Sequence, residues 1–147
     1  MTLTVALGCD HAGFALKDLV IAELQALGAE VLDLGAYSTA SVDYPSFGYA
    51  VAKAIADGRA TRGVAICGSG IGIDIAANRN PAARAALCTS AQMAQLARSH
   101  NDANILVLGA RLIGPDVARA CVQAFMTTPF EGGRHQRRVD MLGNPDC

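Results

Sequence analysis

Five short apolar runs recur along the chain, at residues 3–7, 30–34, 63–67, 83–87 and 104–108. Each is long enough for a buried strand and ends at or near a glycine or a polar cluster. Between them the period changes. Phe14, Leu16, Leu19, Val20, Ala22 and Leu24 follow helical spacing, and Gly28 stops that segment, so residues 14–26 are predicted helical. Pro45 opens a second helical stretch at 47–56, closed by Gly58. Further helices are expected at 73–78, 91–99 and 115–126, with a last, basic one at 134–142.

Strand and helix thus alternate from end to end. Alternation of this kind implies right-handed crossovers and a mainly parallel sheet covered on both faces. The expected fold class is α/β, a Rossmann-like three-layer αβα sandwich on five strands, forming one domain over residues 1–147. In such folds ligands bind at the carboxyl ends of the strands. The chemistry-bearing residues are expected to gather there: Cys9-Asp10-His11, Asp43-Tyr44-Pro45, Cys67 to Gly72, Ser99 to Asp102, and Arg111.

Composition narrows the function. With 52% hydrophobic and 17% charged residues the chain folds around a core. A net charge of -1, no Trp and 5% aromatics argue against nucleic-acid binding. No segment has the apolar length of a membrane span, and no secretory leader is visible, so the cytoplasm is expected. The five cysteines contain no Cys-x-x-Cys pair. Cys88 and Cys121 read as small buried hydrophobes, and Cys147 as an exposed terminal thiol.

Cys67 is different, because the strand that carries it runs into Gly68-Ser69-Gly70-Ile71-Gly72. Alternate glycines leave backbone N–H groups open to an anion. A cysteine at a helix start would feel the positive end of the dipole, which favours the thiolate. The segment therefore offers a base or nucleophile beside an oxyanion hole. It is not a dinucleotide fingerprint, since its third glycine comes one position early and it follows the third strand. A Walker loop would require Gly-Lys-Ser/Thr, and a cysteine phosphatase loop would put arginine where Ile73 stands. Cys9, Asp10 and His11 are consecutive rather than spaced like zinc ligands, so no metal is expected. Asp10 and His11 read either as a helix cap or as a polar pair in the Cys67 cleft. His100 reads either as a helix C-terminal cation or as a general acid. Arg134 and Arg138, four apart on one helical face, together with Arg111 suit a phosphate monoester.

Taken in order, Gly8-Cys9-Asp10-His11-Ala12-Gly13-Phe14, Asp43-Tyr44-Pro45, Ile66 to Gly72, Ala76-Ala77-Asn78, His100 to Asn104, Gly109-Ala110-Arg111 and Gly133 to Arg138 resemble the ribose-5-phosphate isomerase B family. That family also contains the galactose-6-phosphate isomerase subunits. The resemblance implies cofactor-free interconversion of an aldose and a ketose phosphate through a cis-enediolate. It implies Cys67 as the base, with loop amides of Gly68, Gly70, Ile71 and Gly72 at the enediolate. Ser69 would pass a proton between oxygens. His100 would open the sugar ring, assisted by Asp10. His11, Arg111, Arg134 and Arg138 would hold the phosphate, Asn101 would contact the oxyanion, and Tyr44 would lie against the sugar. Some relatives instead carry a glutamate base just after the last loop glycine. Ile73 occupies that place here and Asp74, its neighbour, is expected to point elsewhere.

The resemblance further implies a homodimer or dimer of dimers whose sites draw on both subunits, with helix 134–142 at the interface. The expected reaction joins ribose 5-phosphate and ribulose 5-phosphate. Two alternatives stand beside it: the same chemistry on a tetrulose, allose or galactose phosphate, and a non-catalytic sugar-phosphate or nucleotide sensor.

Overall fold

Each apolar run forms a strand, and each periodic stretch forms a helix. In the computed structural model, which describes residues 2–147, the order is β1 (Thr4–Cys9), α1 (Phe14–Ala26), β2 (Glu30–Asp33), α2 (Tyr44–Ala56), β3 (Arg62–Cys67) and α3 (Ile71–Ala77). It continues with β4 (Ala85–Leu87), α4 (Ala91–Asn101), β5 (Ile105–Gly109), α5 (Pro115–Thr127) and α6 (Arg134–Leu142). The five strands pair in the order β2-β1-β3-β5-β4, and every pair is parallel.

Side chains alternate across a strand, so each strand feeds two cores. Val5, Leu7, Val64, Ile66, Leu106 and Leu108 face one layer with Leu16, Val20 and Leu24 of α1 and Val122 and Phe125 of α5. Ala6, Ala65, Cys67, Ile105 and Val107 face the other, with Val51 of α2 and Ile73 of α3. This is the expected three-layer sandwich. The alternation also decides where Cys67 goes: its side chain falls on the α2/α3 face, at the carboxyl end of the central strand.

Several boundaries differ from the periodicity, for local reasons. α2 starts at Tyr44 rather than 47, because Pro45 is at home in a first helical turn. α3 starts at Ile71, directly after Gly70 turns left-handed at φ 79°. α4 runs through Asn101 and stops at Asp102, which takes φ 46°. β4 holds only three residues at the sheet's edge. There Asn78 acts as a substitute strand: its side chain donates to the Ala85 carbonyl at 2.9 Å and accepts from the Ala85 amide at 2.8 Å. The edge is thereby paired at Ala85.

Candidate active site

The turn after β3 is set by its glycines. A side chain at Gly70 would meet Leu87 and the Gly109 amide, and its φ is one that L-residues rarely adopt. A side chain at Gly72 would run into the ring of Tyr44, so the glycine lets that ring lie on the turn. Tight folding brings the Gly70 N–H onto Sγ of Cys67 at 3.2 Å. The Ile71 N–H donates to Oγ of Ser69 at 3.2 Å.

Strand register supplies the neighbours. Cys67 pairs with Gly109, and past that point the Ala110 amide donates to the Cys67 carbonyl and the Arg111 amide to the Gly68 carbonyl, both at 2.9 Å. Arg111 is thereby carried alongside Gly68. From β1, the Asp10 amide donates to the Ile66 carbonyl at 3.2 Å, and Oδ1 of Asp10 accepts the Gly13 amide at 2.8 Å. Asp10 thus stabilises the turn into α1 without being the residue that caps it. Nδ1 of His11 accepts the Val42 amide at 3.1 Å. A neutral His11 therefore carries its proton on Nε2 and can donate from there.

These residues enclose a cleft of about 530 Å³, lined by Asp10, His11, Tyr44, Cys67, Gly68, Ser69, Ile71, Gly72 and Arg111, with Ala12 and Ile75. Gly70 lies behind the wall. Ile73 is fully buried in the core and has no access to the cleft. Asp74 lines a separate depression with Ile75, Asn78 and Arg79. Burial pushes its carboxyl up to about 6, and Oδ1 is buried without a partner. Burial also raises the thiols of Cys9, Cys121 and Cys88, the last to about 12. Cys88 and Cys121 are core residues as expected, and Cys147 is exposed.

One residue beneath the cleft escaped the sequence reading. Lys17 is buried, donates to the Ala36 carbonyl at 2.6 Å, pairs with Asp33 at 2.9 Å and lies 4.5 Å from the Tyr37 ring centre. It anchors the loop that brings Val42 to His11 and Tyr44 to Gly72. Its spacing to Val20 and Leu24 marked it as a charge on a buried stripe.

His100, Asn101, Arg134 and Arg138 do not line this cleft. Ser99 to Asp102 were expected at the carboxyl ends of the strands, and the structure places them at the opposite end. The reason is topological: α4 is the crossover that returns the chain to the amino end of β5, which Asp102 then approaches. At about 3.3 Å per residue, β5 alone holds the two ends roughly 13 Å apart. Asn101 lines a second cavity of about 410 Å³ near the β4 edge, with Asn78, Arg84 and Leu142. Arg134 and Arg138 lie exposed on α6, about 100° around the helix from His135 and Val139, which are buried against the protein.

His100 stacks on His135, with ring centres 4.4 Å apart and planes 15° from parallel. Together with Glu131 they place ligand-type atoms within 4.8 Å of one another, the one such group among the described residues. The stack does not fit a metal ion: lone pairs of parallel rings run in parallel planes and do not converge on one point.

A parallel α/β sheet with a cysteine-bearing glycine turn at its central strand, ringed by His, Tyr and Arg, describes a class of sugar-phosphate isomerases. The Ribose/Galactose Isomerase family pattern matches residues 5–142, and the chain belongs to that family. It is an enzyme of the isomerase class. It is 45% identical over 138 residues to ribose-5-phosphate isomerase B of Escherichia coli, covering 94% of this chain and 93% of that one. Two solved structures are similar throughout. Ribose-5-phosphate isomerase B of Clostridium thermocellum has a TM-score of 0.95 at 46% identity, covering 98% of this chain and 97% of the other. The type B enzyme of Trypanosoma brucei has a TM-score of 0.96 at 40% identity, covering 99% and 100%.

No helix among the described residues is long and apolar enough to cross a membrane.

Proposed function

We propose that this chain interconverts ribose 5-phosphate and ribulose 5-phosphate through a cis-enediolate, in an active site completed by a second copy of the chain. The observation that carries the chemistry is Sγ of Cys67 on the cleft wall, with the Gly70 N–H at 3.2 Å. In the aldose-to-ketose direction the thiolate takes the proton from C2 and returns it to C1. The hydroxyl proton passes from O2 to O1, with Ser69 as relay. The Gly70 amide gives the sulfur a donor in its charged form. Since the Gly70 and Ile71 amides already donate within the turn, the oxyanion contact is assigned to the other loop amides. Ile73 in the core supports the assignment of Cys67 over a carboxylate base.

His11 and Arg111 in the cleft supply part of a phosphate grip, and Tyr44 with its ring on Gly72 faces the sugar. The ring-opening His100, Asn101 and the phosphate-binding Arg134 and Arg138 lie at the far end of the sheet. They are assigned to the partner's cleft, which makes α6 an interface element and the homodimer the smallest active unit.

The test is steady-state isomerisation of ribose 5-phosphate beside tetrose and hexose phosphates. Preferential turnover of the pentose supports the proposal. Preference for a four- or six-carbon sugar keeps the chemistry and replaces the substrate. Thermal stabilisation by nucleotides alone, with no turnover, overturns the reading.

A further inference from the structure

His100 is held from two sides. Its ring lies face to face with His135, 4.4 Å between centres. His135 is 7% exposed although it sits in a run of charged residues. Nε2 of His135 faces Oε1 of Glu131 at 3.6 Å. The Glu131 amide donates to the carbonyl of Ser99, the residue before His100, at 3.1 Å. Arg98, 5% exposed, closes the frame from beneath. It donates to Asp102 Oδ1 at 2.8 Å and to the Ala103 and Thr128 carbonyls at 2.7 and 3.2 Å. The end of α4 and the segment leading into α6 are thus joined at Thr128 and again at Glu131.

The geometry points to His135 and Glu131 as positioning residues for His100 in opening the ring of the aldose substrate. The inference rests on the proposed role of His100. An imidazole at a helix end has two free torsions. A flat neighbour at stacking distance leaves it one plane. A proton donor must present its nitrogen within hydrogen-bond reach of the ring oxygen, so a ring that turns away loses rate. Glu131 acts one step further out. Its carboxylate faces the His135 nitrogen at 3.6 Å, beyond a direct hydrogen bond, and favours that ring orientation by charge. Arg134 and Arg138 are exposed on the face of α6 next to the one that buries His135, and the stack itself is made by the two imidazoles alone.

A merely structural role and a positioning role differ in which reaction suffers. Ribose 5-phosphate is mostly a closed furanose and must be opened before isomerisation. Ribulose 5-phosphate has its C5 oxygen esterified and stays open-chain. Exchange of its C1 hydrogen with solvent therefore requires the proton base and not the ring opener. In the full-length enzyme, His135→Ala is expected to slow ribose 5-phosphate turnover by roughly ten- to a hundredfold. Deuterium wash-in from D2O at C1 of ribulose 5-phosphate should stay within about twofold of wild type. His135→Phe, which keeps a flat ring, should restore most of the aldose turnover, and Glu131→Ala should show a smaller loss of the same pattern. Wash-in and aldose turnover falling together in His135→Ala and Glu131→Ala, or neither falling, overturns the inference. His100→Ala serves as the reference: lost aldose turnover with wash-in intact supports its role. Full aldose turnover in His100→Ala removes that role and the inference with it. Wash-in lost in Cys67→Ala alone keeps failure of the ring-opening assignment distinct from failure of the base assignment.

Discussion

Around Cys67 the main chain does the positioning, whereas around His100 side chains do it. Cys67 ends the central strand, its neighbours are fixed by sheet register, and its nearest polar contact is the amide of Gly70. His100 lies at the end of α4 against a stacked ring, with a carboxylate facing that ring and a buried arginine tying down the helix end. A base that must meet a weak carbon acid gains from a frame that does not reorganise. On the proposed two-copy arrangement, the residues that open the ring and grip the phosphate face a second subunit. The first half would then be complete in one chain, while the second would function only across an interface.

The largest expected effect separates the halves directly. Cys67→Ala should fold and bind substrate while losing about 10²–10⁴ in turnover, the usual contribution of a positioned acid–base group. His100→Ala should also lose turnover. Unfolding the two inactive variants together and refolding them should recover activity. Half of randomly paired dimers are mixed, and each mixed dimer holds one intact site, so about a quarter of the wild-type rate is expected. Refolded, dimeric mixtures that stay inactive would place both residues in one subunit's site and defeat the two-copy arrangement.

A smaller effect sharpens the assignment of α6. Arg138→Ala removes a guanidinium from the proposed phosphate grip, remote from C1 and C2. The expected result is a KM higher by about tenfold with turnover nearly unchanged, since uniform binding is what is lost. A charge-assisted contact in an exposed groove is worth about 1.5–3 kcal/mol, consistent with that size. Turnover lost at constant KM would instead put Arg138 in contact with the reacting atoms.

Sequence and structure agree most closely where one local rule decides. The apolar runs give all five strands, and Gly28 and Gly58 lie just past the ends of α1 and α2. The Cys67 turn was legible because glycine spacing is a backbone signal. The His100 half was not. The polar cluster at 99–102 drew the expectation to the carboxyl ends, although the order helix then β5 puts it at the amino end. His135 was hidden in a basic run, although its spacing of four from Val139 on a polar helix marked a buried face. Glu131 has no periodic signal, because its place comes from a backbone bond to Ser99. The family resemblance named residues from both halves in motif order, and motif order does not say which chain supplies them.

Asp74 offers the smallest effect and marks the edge of the Cys67 half. It follows Ile73 on α3, yet its carboxyl turns away from the cleft and one oxygen is buried unpaired. Burial raises its pKa to about 6, against an ordinary value of 3.8. The folded protein therefore binds the proton more tightly than the unfolded chain. Between those two values stability falls as pH rises, and above about 6 the cost is constant. Asp74→Asn keeps the shape and removes the charge. After allowance for solvent screening, it should stabilise the protein at pH 7 by about 1 kcal/mol, with the gain vanishing below about pH 4. Denaturant melts of the two proteins at pH 4 and pH 7 measure this. Turnover should be unchanged if, as proposed, Cys67 and not a carboxylate of α3 moves the proton. Loss of turnover in Asp74→Asn would bring that carboxylate into the chemistry and take the base assignment away from Cys67.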